Sequence, residues 1–204
     1  MRILFQGDSI TDGGRDRNDP RKIGWGYALY ASRFIKERHP DMEFDFLNFG
    51  ISGNKTDDLV GRWTTDCIEW QPDVVSIMIG VNDTWHHCDR RDWLPNEVFE
   101  ANYRNILERV KNETNAKIIM LEQYLLPSED KDYFREDIDP KIMITRKLAR
   151  EYADVYVPWT DFLPLPVSTT PPFGGLWTQF TPIITAAPLL PVTMPTHLTL
   201  SSLK

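Results

Sequence analysis

Three short loops hold residues of the types that nucleophilic chemistry uses. The first is Gly7-Asp8-Ser9-Ile10-Thr11-Asp12. A serine on a tight turn after a strand exposes its hydroxyl and keeps its backbone N–H free, as an acyl-transfer nucleophile requires. Gly7 permits such a turn. Asp8 can accept hydrogen bonds from the neighbouring backbone and hold the loop. The second loop is Asn48-Phe49-Gly50-Ile51-Ser52-Gly53-Asn54, where Gly53 could present its N–H to a developing oxyanion. The third is Gly80-Val81-Asn82-Asp83. The carboxamide of Asn82 is the kind of donor that complements backbone N–H groups in an oxyanion hole. Asp8 and Asp83 are the candidate supporting residues. Taken singly, each loop reads first as an ordinary turn, flexible loop or helix cap.

The elements that must position these loops alternate in period. Arg2 to Phe5 is a short strand ending at Gly7. Gly24 to Arg38 has helical spacing through Tyr27, Leu29, Tyr30, Phe34 and Ile35. Glu43 to Phe49 reads as a strand. Thr56 to Trp70 reads as a helix with Leu59, Val60, Trp63, Cys67 and Ile68 on one stripe. Val74 to Ile79 is a continuous apolar run with an internal Ser76, the pattern of a strand covered on both faces. Pro95 to Val110 reads as a helix with Val98, Phe99, Ile106, Leu107 and Val110 inward. Lys117 to Leu121, Ile138 to Tyr152 and Val155 to Val157 follow as strand, helix and strand. Alternation of this kind predicts a five-stranded parallel sheet with helices on both faces. Ligands then sit at the carboxyl ends of the strands, where the three loops lie.

The loops, in this order, resemble the blocks of the SGNH hydrolase (GDSL-type esterase/lipase) family. Those blocks are G-D-S-[LI], a block holding the S-G glycine, and G-x-N-D. The likeness extends to Gly24-Trp25-Gly26-Tyr27 and to Tyr156-Val157-Pro158, and covers residues 1–158. It implies a flavodoxin-like α/β/α sandwich, with Ser9 as nucleophile. It also implies an oxyanion hole made by the N–H groups of Ser9 and Gly53 and the side chain of Asn82. No metal and no organic cofactor is expected.

Residues 159–204 depart from that pattern. They hold eight of the fifteen prolines and nine threonines, with Asp161 as the one acidic residue and Lys204 as the one basic one. The prolines leave no helical stripe of useful length, although such a domain normally closes with an amphipathic helix. The family's D-x-x-H block, whose histidine deprotonates the serine and whose aspartate orients it, does not occur after residue 158. The histidines are His39, His86, His87 and His197. His39 ends a surface helix. His86 or His87 could line the cleft. His197 has no acidic residue nearby.

Back-translation of Trp177-Thr178-Gln179-Phe180-Thr181, read two bases later, forces an aspartate and permits D-S-V-H-P. The same operation on Pro158 to Phe162 forces another and permits L-D-G-[LF]. The expectation is a domain over 1–158, followed over 159–204 by a frameshifted reading of such a gene.

Bulk properties narrow the function. A length of 204 residues suits one α/β domain. A net charge of −7 argues against nucleic-acid or anionic-membrane partners. No apolar run approaches a membrane span, and the N-terminus reads as a strand rather than a signal peptide, which fits a cytoplasmic protein. Secretion of a longer precursor stays open. Cys67 and Cys88 are expected as free thiols.

The expected reaction is two-step ester hydrolysis, with short acyl groups on carbohydrate as the favoured substrates, because Trp25, Trp63, Trp85 and Trp93 could stack on sugar rings; core packing is the other reading of these tryptophans. Lysophospholipid or short-chain lipid esters, and a catalytically dead ligand-binding module, are the alternatives. Oligomeric state and exact ester are not readable.

Overall fold

The structure, a computed structural model, describes residues 1–125 and 129–159. Expectations resting on residues 160–204, including the lost closing helix and His197, lie outside the described residues.

The strands are β1 (Arg2–Gly7), β2 (Asp45–Asn48), β3 (Val74–Met78), β4 (Lys117–Leu121) and β5 (Val155–Val157). They form one fully parallel sheet in the order β2-β1-β3-β4-β5. The long helices are α2 (Tyr27–Arg38), α3 (Thr56–Asp66), α5 (Asn96–Glu113) and α6 (Arg135–Tyr152). Two short ones, α1 (Ser9–Asp12) and α4 (Val81–Trp85), follow β1 and β3 directly. The predicted sandwich is therefore present.

Side-chain alternation along the strands separates two cores. Leu4, Val75, Ile77, Ile118 and Met120 pack against Leu59 and Trp63 of α3, Phe99, Tyr103 and Ile106 of α5, and Leu148 of α6. Ile3, Phe5, Met78, Ile119 and Leu121 face the other way, against Tyr27, Ala28, Ala31 and Ile35 of α2 and against Trp159. Every residue of β3 is buried, as its unbroken apolar run predicts.

The helical stripes differ in detail from the sequence expectation. Val98 is 43% exposed, and Tyr103 fills the inward position instead. Tyr30 is exposed, while small Ala28, Ala31 and Ser32 let α2 sit close to the sheet. The helix expected from Thr56 to Trp70 stops at Asp66; Cys67 leaves helical geometry and a 3₁₀ turn, Ile68–Trp70, leads into Pro72. Helix α6 begins at Arg135, before the expected Ile138, so Pro140 lies inside it.

The strand order reverses direction at β1, with β2 on one side and β3 on the other. The crevice at the carboxyl ends of β1 and β3 is the place where sheets of this kind bind ligands.

Candidate active site

The turn after β1 is set by a close approach. A Cβ at Gly7 would lie 2.2 Å from the Met78 carbonyl oxygen and 2.3 Å from Thr11 Oγ1, so only glycine fits between β1 and β3. Asp8 then caps α1, its Oδ1 accepting the Ile10 N–H at 2.9 Å. Ser9 is the first residue of that helix and is exposed. Its N–H belongs to the first turn, where no intrahelical acceptor exists. Among the described residues, none hydrogen-bonds to the Ser9 hydroxyl.

The second loop is stitched to the first by buried polar groups. Asn48 Nδ2 donates to the carbonyls of Thr11 at 2.7 Å and Ile23 at 2.9 Å, and its Oδ1 accepts the Gly50 N–H at 2.8 Å. The Ile51 N–H reaches the Gly7 carbonyl at 3.1 Å. Asp12 Oδ2 accepts from the Ser52 N–H at 3.0 Å, the Ser52 hydroxyl at 3.2 Å and Arg17 at 2.8 Å. Burial pushes the Asp12 carboxyl upward, but these donors outweigh it and hold its pKa below the ordinary value. Gly53 has φ +85°, and a Cβ there would meet nothing nearer than the His86 ring at 3.8 Å. Its glycine is thus required by backbone conformation rather than by crowding.

The third loop is tied to the second. Asn82 Nδ2 donates to the carbonyl of Asn54, the residue after Gly53, at 3.0 Å. A carboxamide carries two N–H groups, so one holds the loop and the other is left for a ligand. The buried Asp83 accepts the Thr56 hydroxyl at 2.6 Å and the Thr56 N–H at 3.1 Å, fixing the start of α3. Beneath α4, Thr84 donates to Asp137 at 2.6 Å, and the fully buried Lys141 pairs with the same carboxylate.

Burial raises Asp8 to about 7, and the charge of Asp83 adds to the rise. Burial also raises Asp83 to about 6, against the pull of the Thr56 hydrogen bonds. Both carboxyls are therefore easier to protonate than ordinary aspartates.

Ser9 and Asn82 border one cavity of about 600 Å³, with Trp85, Tyr124, Leu125 and Lys131 among its walls. Trp85 is 42% exposed; its ring packs edge-on against Phe134 at 5.1 Å, and Lys131 Nζ lies 5.4 Å over it. Trp25 is 73% exposed and borders a second cavity beside Ser9. Trp93 is half-buried. Trp63 is fully buried under the sheet, so the expectation that it reaches a ligand is corrected. Its position on the inward stripe of α3 already pointed to the core. His86 stands beside Gly53, whereas His87 Nδ1 contacts Asp92 at 3.2 Å.

Arg62 is a part of the site that sequence reasoning missed. From α3 it donates to Asn54 Oδ1 at 2.8 Å, Gln6 Oε1 at 3.0 Å and the Gly7 carbonyl at 3.3 Å, bracing the first two loops together. An arginine one helical turn from Asp66, at 2.9 Å from it, reads in sequence as a surface pair. Asp12 and Thr56 were missed for a similar reason, because the bonds that tie them to other loops, to Ser52 and to Asp83, span long stretches of chain. Among the described residues, no three His, Cys, Asp or Glu side chains are placed to hold a metal ion, and no helix is long and apolar enough to cross a membrane. Cys67 is buried and Cys88 half-buried, and both are free thiols.

The profile of the GDSL-like lipase/acylhydrolase family matches residues 5–177. The chain is similar to an acetylxylan esterase from Geobacillus stearothermophilus, 32% identical over 163 residues that span 76% of this chain and 74% of that protein. Among solved structures it resembles a protein from Parabacteroides merdae described as a GDSL-like lipase. The TM-score there is 0.73 at 37% identity, covering 79% of this chain and 78% of the other. It also superposes on the Geobacillus acetylxylan esterase with a TM-score of 0.70 at 32% identity, covering 77% and 75%. That esterase has been solved as catalytic mutants in which a serine, an aspartate or a histidine is replaced by alanine.

Proposed function

The chain belongs to the GDSL-like lipase/acylhydrolase family and is an ester hydrolase, and we propose that it removes acetyl or other short acyl groups from carbohydrate. In this reading Ser9 attacks the ester carbonyl and forms an acyl-enzyme, which water then releases. The N–H groups of Ser9 and Gly53 and the free N–H of Asn82 stabilise the oxyanion. Asp8 and Asp83 act as supports, the first by capping the turn that presents Ser9 and the second by anchoring the Asn82 helix to α3.

One observation carries the reading: Ser9 and Asn82 border a single cavity, and the Asn82 amide is bonded to the residue next to Gly53. The carbohydrate class is supported by the likeness to the acetylxylan esterase and by Trp85, whose partly exposed ring lines the same cavity as a platform for a sugar face.

The chain as written carries no D-x-x-H block after residue 158. We propose that it turns over slowly, by a factor on the order of 10⁴–10⁶ below a complete enzyme, and that residues from about 159 derive from a shifted frame. Hydrolysis of p-nitrophenyl acetate, with Ser9→Ala as control, tests the assignment. Residual turnover is expected to be low and to vanish in Ser9→Ala; turnover that survives the substitution removes Ser9 as nucleophile. Calorimetry with acetylated xylobiose against lysophospholipid is expected to favour the sugar ester, and the opposite preference overturns the substrate class. The nucleotide sequence around codon 158 decides the frame, since a coding sequence unable to yield D-x-[VI]-H in the alternative frame removes that account.

A further inference from the structure

Asn54 is held at three points. Its N–H donates to the Ile51 carbonyl at 3.1 Å, its own carbonyl accepts Asn82 Nδ2 at 3.0 Å, and its Oδ1 accepts Arg62 Nε at 2.8 Å. On the other side of Gly53, Asp12 holds both the N–H and the hydroxyl of Ser52. The Gly53 N–H thus lies between two pinned residues, although glycine itself restricts its backbone little. The Gly7 carbonyl belongs to the peptide that leads into Asp8 and Ser9. It accepts the Ile51 N–H at 3.1 Å and Arg62 Nη2 at 3.3 Å.

One guanidinium therefore reaches all three loops, the first through Gly7, the second through Asn54 and the third through the Asn54 carbonyl that Asn82 holds. Its Nη1 also donates to Gln6 Oε1 at 3.0 Å and to Asp66 Oδ2 at 2.9 Å. Gln6 is turned toward it by donating its own Nε2 to the Asp66 carbonyl at 2.6 Å. The Arg62 side chain is only 14% exposed, and burial lowers its pKa against the pull of Asp66. A helix-surface ion pair needs Asp66 alone. A planar fork with fixed donor directions sets the spacing of several partners at once, which the point charge of a lysine does not.

We infer that Arg62 is a positioning residue of the oxyanion hole, setting through Gly7 and Asn54 where its donors stand. The inference rests on the reading of Ser9, Gly53 and Asn82 as those donors. Such donors act at hydrogen-bond distance from the oxygen that gains charge. A displacement of about 1 Å costs on the order of a hundredfold in rate.

The test follows phosphonylation of Ser9 in the full chain by a short-chain alkyl fluorophosphonate, by intact mass, separating the maximal rate from the half-saturating concentration. Ser9 Oγ bonds to phosphorus, fluoride leaves, and the phosphoryl oxygen takes the place of the oxyanion. Arg62→Ala is expected to lower the maximal rate by about ten- to a hundredfold, with the half-saturating concentration within about twofold. Methylguanidine is expected to restore part of that rate, and sodium chloride at equal ionic strength none. Arg62→Lys is expected to stay slow. Asp66→Ala, which removes only the helix pair, is expected to stay within about twofold of the unchanged chain. Asn54→Ala removes the Nε acceptor but leaves α3 and β1 alone. It is expected to share the slowing, and it decides the matter should Arg62→Ala fail to fold.

An unchanged maximal rate in Asn54→Ala or in a folded Arg62→Ala overturns the inference. So does a loss carried wholly by the half-saturating concentration, a full rate in Arg62→Lys, or an equal loss in Asp66→Ala. Asn82→Ala separates the two levels. If it slows labelling while Arg62→Ala does not, the positioning role falls alone. If it leaves the rate unchanged, the oxyanion reading falls and takes the inference with it, as does an unchanged chain that is not labelled at Ser9.

Discussion

In the buried floor behind Asn82, Asp83 takes two hydrogen bonds from Thr56, whereas at the rim of the large cavity Trp85 stands partly in solvent and Lys131 pairs with its neighbour Asp130 over open surface. Only the rim borders the ligand space; the floor lies behind Asn82, and the two are specified by different physics. Floor residues hold one another through buried bonds, so each is costly to remove. Rim residues make ring and surface contacts, such as that of Trp85 with Phe134, rather than buried hydrogen bonds. The contrast implies that floor substitutions damage stability and activity together, while rim substitutions separate them.

The sharpest break of that contrast is Asp137→Ala beneath α4. It leaves the buried Lys141 without its counter-charge and Thr84 without its acceptor. A loss of about 3–5 kcal/mol in urea unfolding is expected. The double variant Asp137→Leu with Lys141→Met is expected to recover most of it, since removing both charges leaves none uncompensated.

Next in size is a pH effect. Asp8 and Asp83 bind protons more tightly in the folded chain than the ordinary value of 3.8, at about 7 and about 6. Their contribution to stability is complete below pH ~4 and is lost as pH rises through those values, amounting to roughly a few kcal/mol for the pair. Unfolding free energy is expected to fall between pH ~4 and ~7, and Asp8→Asn to flatten the slope. A slope of opposite sign removes this account of the floor.

Asn48→Ala leaves the Gly50 N–H and the Thr11 and Ile23 carbonyls without their partner, with an expected loss of about 1–3 kcal/mol.

At the rim, Trp85→Ala is expected to weaken binding of acetylated xylobiose by about tenfold, or ~1.4 kcal/mol, with a smaller effect on unfolding than Asn48→Ala. Smallest of all, Arg91→Ala removes an exposed pair with Glu136 at 3.2 Å and is expected to change stability by under about 1 kcal/mol.

The same division governs what could be read from the sequence. The strands and the long helices were legible because their periods are imposed by burial. The Val74 to Ile79 run became the fully buried β3, and the loops after β1, β2 and β3 meet as strand order demands. Ser9, Asn82 and the glycine-bearing loop between them were singled out through motif and position. The bracing was not legible. Arg62 reaches Gln6 and Gly7 across more than fifty residues, and Thr56 meets Asp83 across twenty-seven. No local pattern encodes such pairings. Trp63 shows the core-packing reading of the tryptophans holding, because its helix face turns inward. The short helices α1 and α4 were missed because four or five residues carry no period.

Gly7 has a practical consequence for anyone diversifying this site. The carbonyl of Met78 and the hydroxyl of Thr11 occupy the space that any side chain would need. A library randomised across residues 7–12 would return glycine at its first position, so that position adds no diversity, and variation is better spent on a residue such as Ile10, which borders both cavities beside the nucleophile.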